Sequence, residues 1–278
     1  MSELAVVRPL PLLVGEPDGF EVTLVGCGGT GSFLALDLAR LAWHARERGV
    51  TVRLTFVDPD VVERSNVGRQ NFAPAEIGQP KAEALARRFN RGFGLDIHWA
   101  TTPFAPVMVG RRYSRDFRLL IGAVDNAPAR RTMADAVEQA AGRLWWLDCG
   151  NLRASGQVLL GNLADWSERV AFPGLGFCRA LPSPHRLRRG LLLTQVHVGV
   201  PSGEETTGSC ADLVAREAQS LMINRAVATF AGQYVYDLLV RRRLDVFMTL
   251  IDLESGFAFS VPITPGNVAR ELGEMEDA

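Results

Sequence analysis

Residues 20–41, FEVTLVGCGGTGSFLALDLARL, and residues 51–58, TVRLTFVD, leave this chain few ways to fold. Phe20 to Gly26 is apolar on both faces, the pattern of a strand buried in a parallel sheet. Four glycines follow, Gly26, Gly28, Gly29 and Gly31. They let the backbone turn tightly and come close to a bound phosphate. Ser32 to about Arg48 has helical periodicity, with Leu34, Leu38, Leu41, Ala42 and Trp43 as its apolar stripe. The N-terminus of that helix would turn its N–H groups and positive dipole end toward the glycine turn. Thr51 to Val57 is a second apolar strand. Asp58 at its end is placed to accept hydrogen bonds from ribose hydroxyls.

The same alternation continues. Pro80-Lys81 opens a helix running to about Asn90, with proline in a first-turn position. Leu95 to Ala100 can form a third strand, and Leu119 to Val124 a fourth that ends at Asp125. Pro128 to Ala141 reads as a helix and Leu144 to Cys149 as a fifth strand. This order predicts an α/β, Rossmann-like fold: a mostly parallel sheet flanked by helices. From Ser155 the pattern changes, and a mixed C-terminal extension of the sheet is expected. Gln157–Gly161 and Leu191–Val200 read as strands on either side of a loop-rich stretch, 164–190. Residues 211 to about 239 read as a long helix, and 246–253 with 256–261 as a closing hairpin. The chain divides on this reading into a proline-rich N-terminal arm (1–19), a nucleotide-binding half (20–150), an acceptor-binding half (151–265) and an acidic, mobile tail (266–278).

Composition narrows the function. A formal net charge of −1 gives no global basic field for nucleic acid, and the arginine runs at 186–189 and 241–243 read as solvated surface. No apolar run reaches membrane-spanning length and no signal-peptide pattern opens the chain, so a reducing cytoplasm is the default expectation. Cys27, Cys149, Cys178 and Cys210 lie far apart without a Cys-x-x-Cys pair. That spacing suggests neither a disulfide framework nor a four-cysteine zinc site. The four histidines show no metal spacing either.

The chemistry is concentrated after Asp58. In DPDVVERSNVGRQ, residues 58–70, the polar groups of Asp60, Ser65, Asn66, Arg69 and Gln70 crowd into one loop. A nicotinamide dehydrogenase needs little polar chemistry there. An enzyme acting on a phosphate needs cations and donors around it. Arg69 offers a forked donor and Lys81 a point charge. Asp125, at a strand end, is placed to hold Mg²⁺ against the phosphates. Taken singly, Asp58 or Asp125 could equally be a strand-end cap.

GCGGTGS at 26–32, DPDVVERSNVGRQ at 58–70, GQPK at 78–81 and DNAPAR at 125–130 together resemble the ThiF/MoeB/HesA family of ubiquitin-activating-type adenylating enzymes. The resemblance is strong over residues 20–150 and looser beyond. GQPKAEALARRFNRGFGLDIHWA and the SCADL…QSLMINRAVA segment also make the layout similar to the ThiF-type proteins of PRTRC plasmid systems. The resemblance implies that ATP and Mg²⁺ bind in the glycine cradle and that a carboxylate attacks the α-phosphorus. The carboxylate is typically the C-terminal glycine of a ubiquitin-like or sulfur-carrier protein. Asp58 would hold the ribose. Asn66, Arg69 and Lys81 would bind the phosphates, Gln70 would support the loop, Asp125 would bind the metal with Asn126 beside it, and Arg130 would brace the helix. A homodimer is implied too, with an arginine from the partner's arm completing the site in several relatives; Arg8 is the arm residue of that type here.

The chain departs from the family pattern in lacking the Cys-x-x-Cys pairs of many members, so no zinc is expected. Where members form a thioester, the cysteine lies after the adenylation core. Cys210 is the best-placed candidate, since a helix start beside it would favour thiolate; a purely structural role stays open. Cys178 is the second choice, and Cys27 and Cys149 read as packing residues. Two alternatives keep the same cradle: a superfamily member that modifies tRNA, and a non-catalytic nucleotide-binding scaffold of a plasmid maintenance system. Intact Arg69, Lys81 and Asp125 argue against the scaffold.

Overall fold

The computed structural model describes residues 8–109, 115–193 and 221–273. Strands β1 (Leu12–Leu13), β2 (Phe20–Val25), β3 (Val52–Val57), β4 (His98–Ala100), β5 (Phe117–Gly122), β6 (Trp145–Asn151), β7 (Ser155–Gly161), β8 (Arg243–Leu244), β9 (Val246–Asp252) and β10 (Phe257–Pro262) alternate with helices α1 (Gly29–Arg46), α2 (Lys81–Phe93), α3 (Ala127–Ala140), α4 (Glu168–Ala171), α5 (Pro184–Leu187), α6 (Leu221–Tyr236) and α7 (Pro265–Leu272). One eight-stranded sheet runs β10-β9-β7-β6-β5-β2-β3-β4. Its β4, β3, β2, β5 and β6 are parallel neighbours. β7, β9 and β10 then add antiparallel. The expected mixed extension is therefore present. β2 sits between β3 and β5, so the order reverses there and opens a crevice at the C-terminal strand ends.

Both faces of the parallel part are covered, which is why its strands are apolar throughout. Phe20, Val22, Leu24, Leu54 and Phe56 face α1, α2 and α6 through Leu34, Leu38, Leu85, Val227 and Val235. Val25, Val57, Leu120 and Trp146 face α3 through Met133 and Val137. Leu34, Leu38 and Ala42 are buried as the stripe predicts, but Trp43 is 42% exposed. Five residues past Leu38 it has turned about 140° away from the core, at 100° per residue.

Three further expectations need correction. The third strand is only His98–Ala100. Arg189–Leu192 is a 3-10 turn, so the expected strand 191–200 does not begin there; its remainder, and residues 211–220 of the expected long helix, lie outside the described residues. The expected mobile tail opens as α7, whose Thr264 side chain caps Asn267 N–H at 3.1 Å and whose Val268 is fully buried. The N-terminal arm packs onto the C-terminal part of the fold: β1 pairs with β8, and Pro11 C=O accepts from Cys178 N–H at 2.8 Å. The helix Leu221–Tyr236 ends in a π turn, Asp237–Arg241. No described helix is long and apolar enough to cross a membrane.

Phe20 anchors β2 at the base of the sheet. It is fully buried, packs on Phe117 with ring centroids 5.7 Å apart, and lies under the Arg242 guanidinium at 4.3 Å. Phe20→Ala is expected to destabilise the fold by about 3–5 kcal/mol. Urea unfolding of both proteins checks this, as a lowered midpoint at unchanged slope.

Candidate active site

The glycine turn is built by close approach. Gly26 has φ +88°, and a Cβ there would meet Ala123 C=O at 2.5 Å. A Cβ on Gly31 would stand 1.8 Å from Gly26 C=O, so the first turn of α1 closes directly onto the turn. α1 starts at Gly29 and opens its N-terminus into the crevice between β2 and β5, where its first N–H groups are available to an anion. Asp58 is buried at the end of β3. Its Oδ2 accepts from Cys27 N–H at 2.6 Å and its Oδ1 from Asp60 N–H at 2.8 Å. Burial raises its pKa, opposed by those two N–H groups and by the charge of Lys81.

The loop after Asp58 folds back over this turn. Asn66 Oδ1 accepts from Glu63 N–H at 2.9 Å and holds a 3-10 turn at Arg64–Asn66. A bridge between Val61 and Pro80 returns the chain to the cleft, where Lys81 Nζ stands 3.0 Å from Asp60 Oδ2. Ser32 fastens the loop to α1: its Oγ accepts from Asn71 N–H at 2.9 Å, and its C=O from Asn71 Nδ2 at 3.0 Å. Arg69 Nε donates to Ser65 C=O at 2.8 Å, and the half-exposed side chain lines the cleft. Gln70 is buried, and its amide oxygen has no hydrogen-bond partner among the described residues. Asp125 is exposed at the end of β5. Asn126 beside it caps α3, its Oδ1 accepting from Ala129 N–H at 2.9 Å.

These groups converge. Gly26, Gly28, Gly29, Asp58, Asp60, Asn66, Arg69, Gln70, Lys81, Asp125 and Asn126 all line one cleft of about 1020 Å³. That volume suits a nucleotide. Gly31 belongs to the packing beneath it. Cys210 lies outside the described residues. A nucleoside triphosphate fits the donor set: a helix N-terminus with Arg69 and Lys81 for phosphates, Asp58 for ribose, and an apolar wall at Pro103 and Phe104 for a base. Among the described residues no cluster of three His, Cys, Asp or Glu side chains could hold a metal. Mg²⁺ at Asp125 would therefore take its other ligands from phosphates and water.

Sequence reasoning missed Asn224 on α6. It is buried and lines the cleft, and its Oδ1 accepts from Thr30 Oγ1 at 3.1 Å and from Asn151 Nδ2 at 2.5 Å. It thereby joins α6 to the first turn of α1 and the end of β6. The available signal was a lone asparagine in LMINRAVA, three and four residues before the core residues Val227 and Ala228. The expected bracing by Arg130 takes a specific form: its Nε donates to Asp148 Oδ1 at 3.1 Å.

Cys178 is corrected as a second-choice nucleophile. It is buried, its Sγ donates to Ala180 C=O at 3.2 Å, and burial pushes its pKa up to about 12. Burial also raises Cys27 and Cys149.

The ThiF family model matches residues 19–173, more than half of the chain. The chain belongs to the ThiF family. Mouse ubiquitin-like modifier-activating enzyme 6 is 32% identical over 117 residues, 40% of this chain and 11% of that protein. The bovine adenylyltransferase and sulfurtransferase MOCS3 is 37% identical over 142 residues, 49% of this chain and 28% of that protein. The chain thus spans under a third of the length of these relatives. Among solved structures, PaaA aligns at TM-score 0.56 and 15% identity over 88% of this chain and 64% of its own. E. coli MccB with ATP aligns at TM-score 0.54 and 14% identity over 89% and 65%. Both likenesses concern the fold.

Native alkylation tests the cysteine assignments. Cys27, Cys149 and Cys178 are expected to resist iodoacetamide from pH 7 to 9, because each thiol stays neutral and enclosed, and to react together once denaturant unfolds the chain. Mass spectrometry of tryptic peptides reads this; rapid native labelling of Cys178 would contradict its placement.

Proposed function

We propose that this ThiF-family protein is an ATP-dependent adenylating enzyme that activates the C-terminal glycine carboxylate of a ubiquitin-like or sulfur-carrier protein. The observation that carries the reading is the meeting, in one cleft at the sheet's switch point, of Asp58, Arg69, Lys81 and Asp125 with the N-terminus of α1. A second cavity of about 750 Å³ adjoins it and shares Asp125, Asn126 and Asn151. ATP in the cleft would thus present its α-phosphate near Asp125, with an acceptor carboxylate entering from the second cavity.

One carboxylate oxygen attacks the α-phosphorus, the bond from that phosphorus to the α–β bridging oxygen breaks, and pyrophosphate leaves. Lys81 and Arg69 neutralise the charge that grows on the leaving group, and the α1 N-terminus holds phosphate oxygens by backbone N–H donation. Asp58 orients the ribose. Mg²⁺ held by Asp125 would supply further charge neutralisation on the phosphates.

The second cavity leads toward the sheet edge. Gln157, Leu250 and Phe259 lie in one cross-strand row, the first two lining the cavity. Phe257 and Phe259 are 53% and 48% exposed and stacked at 6.1 Å. A folded acceptor could rest its body on this edge while its C-terminal tail enters the cavity. The names of the relatives, a ubiquitin-like modifier-activating enzyme and an adenylyltransferase and sulfurtransferase, support such an acceptor. Leu10 N–H donates to Ile263 C=O at 2.8 Å, just past β10 and at the end of the sheet opposite the cleft. Arg8, two residues away, can complete only the cleft of a second copy, which favours a homodimer. The PRTRC-type resemblance supports a place for the enzyme in such a plasmid system.

ATP–pyrophosphate exchange driven by small ubiquitin-like proteins ending in glycine is the test. Exchange is expected with wild-type protein, and a fall of roughly 100- to 1,000-fold in Lys81→Ala and Asp125→Ala. Absence of both ATP binding and exchange would sink the adenylation reading. A hydroxylamine-sensitive conjugate that disappears in Cys210→Ala would add a thioester step; retained exchange without any such conjugate confines the chemistry to adenylation.

A further inference from the structure

The buried ion pair between α3 and β6 has an unusual geometry. Asp148 on β6 is 0% exposed, and burial raises its pKa against the opposing charge of Arg130. Enclosing such a pair is costly unless the remaining lone pairs and protons find partners. Here they do not: Arg130 bonds Asp148 through Nε alone, and Asp148 Oδ2 has no partner among the described residues. A side-on contact of this kind leaves both terminal nitrogens of the guanidinium to point elsewhere. Nη2 lies above the end of β6, 3.7 Å from where a Cβ on Gly150 would stand. Arg130, Gly150 and Gln157 all line the second cavity. Of the described residues lining that cavity, Arg130 is the single cation and Asp125 the single anion.

We propose that Arg130 is the carboxylate-positioning residue of the acceptor cavity, its fork held by Asp148 and turned toward the acceptor's terminal carboxylate. The inference rests on the adenylation reading and extends it. That reaction drives one anion onto another, since the carboxylate must approach a phosphate chain already flanked by Asp125. Arg69 and Lys81 stand on the nucleotide side and do not line the acceptor cavity. Arg130 supplies the missing charge on the acceptor side, and its two terminal nitrogens match a carboxylate's two oxygens. Asp148 keeps the planar group in one orientation, so little rotamer freedom is lost when the carboxylate arrives. Half-buried Leu191 and Leu250 add apolar surface to the lining, which lowers the local dielectric and strengthens a charge-assisted bond there.

The test is calorimetric, with protein saturated by α,β-methylene-ATP and with N-acetylglycylglycine and its C-terminal amide as probes. Wild-type protein is expected to bind the free acid at least about tenfold more tightly than the amide. Arg130→Lys keeps the charge opposite Asp148 but loses the fork; Arg130→Met/Asp148→Asn removes both charges, so no lone carboxylate is buried. The preference for the acid is expected to fall several-fold in Arg130→Lys and to about one in the double variant, with affinity for the ATP analogue and melting temperature near wild type. A purely bracing role would weaken acid and amide alike. Preservation of the acid preference in both variants, or its absence from wild-type protein that binds the analogue, overturns the proposal alone. Failure of the wild-type protein to bind the analogue sinks the adenylation reading beneath it.

Discussion

The carboxylate of Asp58 ties together the parts on which the cleft depends. One oxygen takes the backbone N–H of Cys27, inside the glycine turn; the other takes the N–H of Asp60, at the start of the charged loop. β2 and β3 are paired in register up to Val25 and Val57, so the ends of these strands are already adjacent. Asp58 adds the constraint beyond the last strand pair, where the backbone must leave the sheet in two directions and its N–H groups would otherwise lose partners. Burial disfavours the ionised form, and the two N–H groups with Lys81 favour it. The residue is therefore a structural tie, and each of its oxygens keeps a lone pair that the backbone does not consume.

From this tie the rest of the site is built by short links. The loop it anchors is capped by Asn66, fastened to α1 through Ser32 and Asn71, and returned by the Val61–Pro80 bridge so that Lys81 lies beside Asp60. On the opposite wall Asn224 holds α6 to Thr30 and Asn151, at the N-terminal end of α1. The two cavities meet at Asp125, Asn126 and Asn151, with Lys81 and Arg69 lining the larger and Arg130 the smaller. Charge is thus distributed on both sides of the point where the two substrates of an adenylation would meet.

Much of the fold could be read in advance, for identifiable reasons. Parallel strands buried on both faces are apolar throughout, and helices covering them keep a 3.6-residue stripe; both patterns are local. The misreadings arose where burial is decided by distant partners. Residues 265–272 fold as a helix because Val268 finds the core. Trp43 shows the converse, an aromatic residue in an apolar run that the helix turns outward.

At the site, the family was already written in short motifs: a glycine turn, then Asp58, Arg69, Lys81 and Asp125 in family-like order, and hence ThiF membership. Each of those positions is set by residue type at a fixed place in its motif. Packing between distant elements alone established that Cys178 is enclosed, that Asn224 belongs to the cleft, and that Arg130 meets a fully buried Asp148 beside a second cavity. Asn224 touches Thr30 across 194 residues, and Arg130 reaches Asp148 from another element. Contacts of this kind leave no periodicity in the chain, because they depend on how helices stack on the sheet rather than on the order of neighbouring residues.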